Sequence, residues 1–142
     1  MPPIADKIVL DTSALLAFMQ EEPGAAEVEA ILHQHANKGT IFISFMSMME
    51  VAYVLEQEQG ESVARRGILQ IKQLPVQIVE SDEPLGLAAA RIKARHKLSV
   101  ADAWIAATAE RLNAILVHKD PEFDSLAKLI RLKRLPLKSD IR

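Results

Sequence analysis

Lys7-Ile8-Val9-Leu10-Asp11-Thr12-Ser13-Ala14-Leu15-Leu16 decides the fold. Lys7 to Leu10 reads as a buried strand that stops at Asp11, because its apolar run leaves no face for solvent. From Ser13 to Gln20 the period changes, with Leu15, Phe18 and Met19 at helical spacing. Outward from there the alternation continues. Pro23-Gly24 punctuates, and Val28, Ile31, Leu32 and His35 mark one face of a second helix. Thr40 to Ile43 is strand-like; Glu50 to Gln59 and Glu61 to Gln73 read as helices, the second stopped by Pro75. Val76 to Val79 predicts a strand, and Pro84 to His96 and the alanine-rich Ser99 to Leu112 predict helices. Ala114 to Val117 predicts a strand, Glu122 to Ala127 a short helix and Leu129 to Leu132 an edge strand. Strands alternating with helices imply an α/β architecture with a mostly parallel sheet covered on both faces. The 142 residues contain no repeat, linker or composition break, so one domain over 1–142 is expected.

Composition narrows the function. Hydrophobic residues make up 49% of the chain, enough for a core, yet no apolar run approaches the ~20 residues of a membrane span. Met1 to Lys7 has no secretion-signal pattern, so the expected compartment is the cytoplasm. Seventeen basic against nineteen acidic residues give a net charge of −2, so any attraction for nucleic acid must be local. The absence of cysteine excludes disulfides, thiol catalysis and zinc–cysteine sites, and leaves a metal only oxygen or histidine ligands.

Four acids stand in apolar surroundings. Asp11 ends the first strand, Glu50 interrupts the otherwise uncharged stretch from Ile41 to Leu55, Asp102 lies between Val100-Ala101 and Ala103-Trp104-Ile105, and Asp120 follows Ile115-Leu116-Val117. An ionised carboxylate against apolar walls is costly unless compensated. Asp11 and Asp120 fall at or just past strand C-termini, and Glu50 and Asp102 are expected in the first turns of helices, places that converge on one crevice of an open parallel sheet. Convergent acids without a matching Lys or Arg repel one another, a strain that a divalent cation relieves; all-oxygen ligation suits Mg²⁺ or Mn²⁺. Helix capping is the competing explanation for each acid alone. Ser47-Met48-Met49-Glu50 and Ser99-Val100-Ala101-Asp102 both fit the capping box, and Asp11 and Asp120 both precede helical segments. Capping does not explain four such acids at successive junctions of one α/β pattern.

The segments Val9-Leu10-Asp11-Thr12-Ser13-Ala14-Leu15, Ser47-Met48-Met49-Glu50-Val51, Leu98 to Ala107 and Leu116-Val117-His118-Lys119-Asp120-Pro121-Glu122-Phe123 together resemble the PIN-domain ribonucleases, and within them the VapC-type toxins of toxin–antitoxin pairs. The likeness runs from about Lys7 to Leu135. It implies a three-layer α/β/α sandwich with about five strands, and a Mg²⁺- or Mn²⁺-dependent endoribonuclease leaving a 5′-phosphate and a 3′-hydroxyl. By motif, Asp11, Glu50, Asp102 and Asp120 are the acidic quartet, with Ser13 the small polar residue beside the first acid. The resemblance further implies a VapB-type antitoxin, a homodimer and a structured RNA substrate, transfer RNA among the candidates. Two departures stand out. His118 occupies a position where the family often carries Thr or Ser, and Glu122 competes with Asp120 for the last ligand position, Asp120 being preferred because it lies closer to the strand end.

Basic residues must hold the phosphates that flank such a site. Candidates are Arg91, Lys93, Arg95 and Lys97 on the helix leading towards Asp102, and Arg131, Lys133, Arg134, Lys138 and Arg142 in the tail, each also readable as solvated surface. Met46, Met48, Met49 and Trp104 read as core, and His33, His35 and His96 as surface or helix-face residues. Two alternatives remain open from sequence: a catalytically inactive PIN-fold module that binds RNA or protein, and a phosphatase or receiver using Asp11, for which the second early acid and late lysine are missing.

Overall fold

The computed structural model describes residues 6–137, so the expectations for Lys138 and Arg142 lie outside the described residues. Five strands, β1 (Ile8–Leu10), β2 (Ile41–Ser44), β3 (Gln77–Val79), β4 (Ile115–His118) and β5 (Arg131–Arg134), form one sheet in the order β3-β2-β1-β4-β5. Every pairing is parallel. Six helices connect them: α1 (Thr12–Met19), α2 (Ala25–Gln34), α3 (Phe45–Gln59), α4 (Glu61–Gln73), α5 (Glu83–Arg95) and α6 (Val100–Leu112), with a 3₁₀ turn at Pro121–Leu126.

The side-chain period of two divides the strands between two cores. Val9, Phe42 and Leu116 point to one face, under Leu85, Ala89, Ile105, Ala109 and Phe123 of α5, α6 and the 3₁₀ turn. Their neighbours Ile8, Leu10, Ile41, Ile43 and Val117 point to the other, under Leu15, Ile31, Val51, Leu55 and Ile71 of α1 to α4. The architecture is therefore an α/β/α sandwich with a parallel five-stranded sheet. Gly67 lets α4 approach α3 closely, because a Cβ there would run into the Leu55 side chain.

Several local expectations change. The helix carrying Glu50 starts at Phe45, directly after β2, and its N-cap is Ser44, whose hydroxyl accepts from the Met46 N–H. The Ser47–Glu50 capping box therefore does not form, and Glu50 lies in the second turn of α3. The last strand begins at Arg131 because the N–H groups of Leu129 and Ile130 both bond to the Leu126 carbonyl, still completing the turn. His35 is fully buried, with Nδ1 2.8 Å from the Thr40 hydroxyl, on the same inward face as Val28, Ile31 and Leu32, so its helix-face reading holds and its surface reading does not. Met49 is exposed, whereas Met46, Met48 and Trp104 are half-buried. Trp104 stacks edge-to-face on Phe45 at 5.0 Å, joining α6 to the start of α3.

Candidate functional site

The chain leaves β1 to build β2 and β3 on one side and returns to build β4 and β5 on the other, so the strand order reverses between β1 and β4. Their C-terminal ends open a crevice, the place where open α/β sheets bind ligands. Asp11 is the first residue past β1 and Asp120 the second past β4. Helix α6, which runs back towards the start of β4, brings its N-terminal end and Asp102 to the same edge, and α3 brings Glu50.

Asp11 is 2% exposed. Its carboxylate accepts from the Ala14 N–H at 2.8 Å and from the Ser13 hydroxyl at 2.7 and 2.8 Å, and Ser13 Oγ in turn accepts from the Lys119 N–H at 3.0 Å. Ser13 thus ties the first acid to the segment leading to Asp120. These bonds favour the ionised form, but burial outweighs them and, with the charges of Asp102 and Asp120, pushes the Asp11 pKa from 3.8 up to about 7. Asp102, half-buried, rises to about 6, through burial and then the charges of Asp120 and Glu50. Ser99 caps α6 by accepting from the Asp102 N–H, so the expected cap and the acidic cluster share this residue.

One carboxylate oxygen each from Asp102, Asp120 and Glu122 lies within 4.8 Å of the others. The structure therefore brings both Asp120 and Glu122 to the cluster. The Asp120 carboxylate also accepts from the Glu122 N–H at 2.9 Å, which fixes its direction. Among the described residues the ion pairs are Arg65–Glu61, Arg111–Asp82 and Arg131–Asp6, and none neutralises the cluster. Oxygen donors, mutual repulsion and no balancing guanidinium or ammonium are what a hard divalent cation fits.

Thr12 and Ser47, to which the sequence reading gave no part in the site, complete its wall. Thr12 Oγ1 lies 2.5 Å from Glu50 Oε1 and 3.0 Å from Ser47 Oγ. A carboxylate only accepts, so the Thr12 proton goes to Glu50 and Ser47 donates to Thr12. This chain fastens Glu50 of α3 to the residue beside Asp11. The only sequence signal was the position of Thr12 immediately after an acid; the α1–α3 contact that gives it meaning is tertiary. His118 goes the other way. Its ring is fully buried, 5.1 Å edge-to-face from Phe123. Burial lowers its pKa, so it packs as a neutral ring beneath the sheet edge.

A family model described as PIN domain matches residues 8–129. The chain belongs to the PIN domain family. Among solved structures, this PIN chain is similar to a chain of DNA-bound VapBC from Salmonella typhimurium, with a TM-score of 0.71, 18% identity, and coverage of 90% of this chain and 97% of that one. VapBC2 from Rickettsia felis, bound to a promoter DNA fragment, gives 0.69 at 17% identity, covering 91% and 99%. VapBC-1 from nontypeable Haemophilus influenzae gives 0.66 at 22%, covering 89% and 96%. At these identities the likeness is one of fold. No curated protein sequence matches the PIN chain significantly. None of its helices among the described residues is long and apolar enough to cross a membrane.

Proposed function

We propose that this PIN chain is a divalent-metal-dependent endoribonuclease and the toxin of a VapBC-type pair, acting in the cytoplasm on a structured RNA. The carrying observation is the cluster of Asp102, Asp120 and Glu122 without a compensating cation, with buried Asp11 feeling the charges of Asp102 and Asp120 and both Asp11 and Asp102 raised in pKa. Asp11, Asp102 and Asp120 would hold Mg²⁺ or Mn²⁺ with Glu122 beside Asp120, and Glu50 would serve as a ligand or water-orienting base. Bound there, the ion would supply Lewis acidity towards the scissile phosphate and lower the pKa of water, so that no side-chain nucleophile would be needed. The protein's own part is positional. Ser13 and the Ala14 N–H fix Asp11, Thr12 fixes Glu50 and the Glu122 N–H fixes Asp120, so the acids need little rearrangement when charge develops. A VapB-type antitoxin is part of the same proposal, supported by the VapBC complexes from which the similar structures come, and so is a homodimeric state, which rests on the resemblance alone.

The test is cleavage of RNA by purified protein with Mg²⁺ or Mn²⁺, its loss in EDTA, and its loss in Asp11→Asn while the circular dichroism spectrum is retained. Cleavage that persists in EDTA and in the variant rules the mechanism out.

A further inference from the structure

A groove of about 370 Å³ runs between the second half of α5 and the segment around the 3₁₀ turn, outside the acidic cluster. Arg91 and Arg95 line it from α5, His96 from the residue that ends that helix, and Lys128 from the opposite wall; Glu110 of α6 is its one acid. Arg91, Arg95 and Lys128 are exposed and belong to none of the ion pairs found among the described residues.

The charges are not spread evenly along the groove. Arg111, near the end of α6, pairs with Asp82 at the N-cap of α5, so the two helices run antiparallel. Glu110 therefore sits at the start of α5, as does Lys128, which precedes β5 at the edge of the sheet opposite Asp120, and Arg95 and His96 sit at the other end, beside the N-terminus of α6. At 1.5 Å of rise per residue, Glu110 is about 12 Å along α6 from Asp102. The basic end of the groove and the acidic cluster thus share one end of α6. The second wall spans the two ends, because the 3₁₀ turn that leads to Lys128 begins beside Asp120 and Glu122. Cations on a convex solvated helix would diverge; Arg91, Arg95 and Lys128 line one concavity, which runs from the N-terminal end of α6, where the acids are, towards the opposite edge of the sheet.

We propose that this groove binds the backbone phosphates of the RNA strand beside the scissile position. The proposal deepens the nuclease assignment and rests on it for the identity of the polyanion. A strand with one phosphate at the acids that continues past the end of α6 meets there the positive charge that the overall balance of −2 lacks.

The experiment uses the full chain and a fluorescein-labelled mixed-sequence single-stranded RNA, titrated in EDTA over a salt series. Arg91→Ala, Arg95→Ala and Lys128→Ala are combined in one variant. Its RNA affinity is expected to fall about tenfold or more, and the slope of log K against log salt to become shallower by about two, as loss of three phosphate contacts to a single strand requires. A second variant, Arg91→Lys with Arg95→Lys, keeps the charge and should retain most of the slope. Mn²⁺ binding should be unchanged in both. An unaltered affinity and slope in the alanine variant overturns the proposal, as does loss of poly-glutamate binding with RNA binding intact, which would assign the groove to an acidic protein segment. If the wild type cuts no RNA with either metal but its RNA binding still depends on these cations, the groove stands and the nuclease assignment fails. If it cuts and the slope is unaltered, the reverse holds.

Discussion

Two helix N-caps in this molecule use the same residue type and the same bond. Asp11 caps α1 and accepts from the Ala14 N–H, and Asp82 caps α5 and accepts from the Leu85 N–H, both at 2.8 Å. Their pKa values nevertheless part, Asp11 rising to about 7 and Asp82 falling to about 2. Asp82 is solvated and held by both terminal nitrogens of Arg111 at 2.7 Å. Asp11 is buried, and its charged neighbours are further carboxylates. A cap therefore says nothing about chemistry until its neighbours in space are known. An acid kept ionised by its own arginine is structural, and an acid buried among acids is incomplete without a cation.

Removing the buried acid tests that contrast most severely. Asp11→Asn keeps a cap acceptor but removes the carboxylate proposed to hold the metal, so RNA cleavage should fall by about 10³-fold or more. Equal activity in variant and wild type would break the distinction.

The next effect is on stability without metal. Below pH 3.8 Asp11 is protonated in the folded and unfolded chain alike and costs nothing. As pH rises towards about 7 the unfolded chain ionises first, so the folded state loses stability, and above 7 the loss is complete. In EDTA, denaturant titrations should show Asp11→Asn matching the wild type near pH 4 and exceeding it by up to about 4 kcal/mol near pH 8. Mg²⁺ should narrow that gap at pH 8 and have little effect near pH 5, where protons compete for the ligands.

Thr12→Val is isosteric and leaves Glu50 without its donor; cleavage should drop about 10- to 100-fold in kcat with little change in KM, and Thr12→Ser should restore most of it. A fall that serine does not restore would mean that Thr12 acts through packing alone. The smallest effect belongs to the solvated cap. Asp82→Asn should leave cleavage unchanged and lower the melting temperature slightly at neutral pH. The Asp82 contribution is present above pH 3.8 and is lost as pH falls towards 2, the opposite direction to Asp11.

The order and type of the elements were legible in the sequence because they follow from local periodicity. Buried parallel strands are unbroken apolar runs, and helices announce a face, so Ile8 to Leu10, Ile115 to Val117 and the stripe Leu85, Ala89, Ile92 could be read directly. The acids were legible for a related reason, since a charge inside an apolar run signals a cost that something must offset. Where helices begin was less legible. Ser44 and Ser47 are chemically equivalent caps, and only the direct passage from β2 into α3 selected Ser44 and moved Glu50 into the second turn. His35, His118 and Thr12 were not legible at all, because their surroundings come from residues on other elements or from the packing of a loop. Sequence alone determined an α/β alternation with carboxylates at its junctions. The strand order with its reversal between β1 and β4, the burial of Asp11 among Asp102 and Asp120, and the arginine beside Asp82 were decided by tertiary structure. Desolvation and Coulomb interaction depend on distances through space, and the chain's own spacing does not contain them.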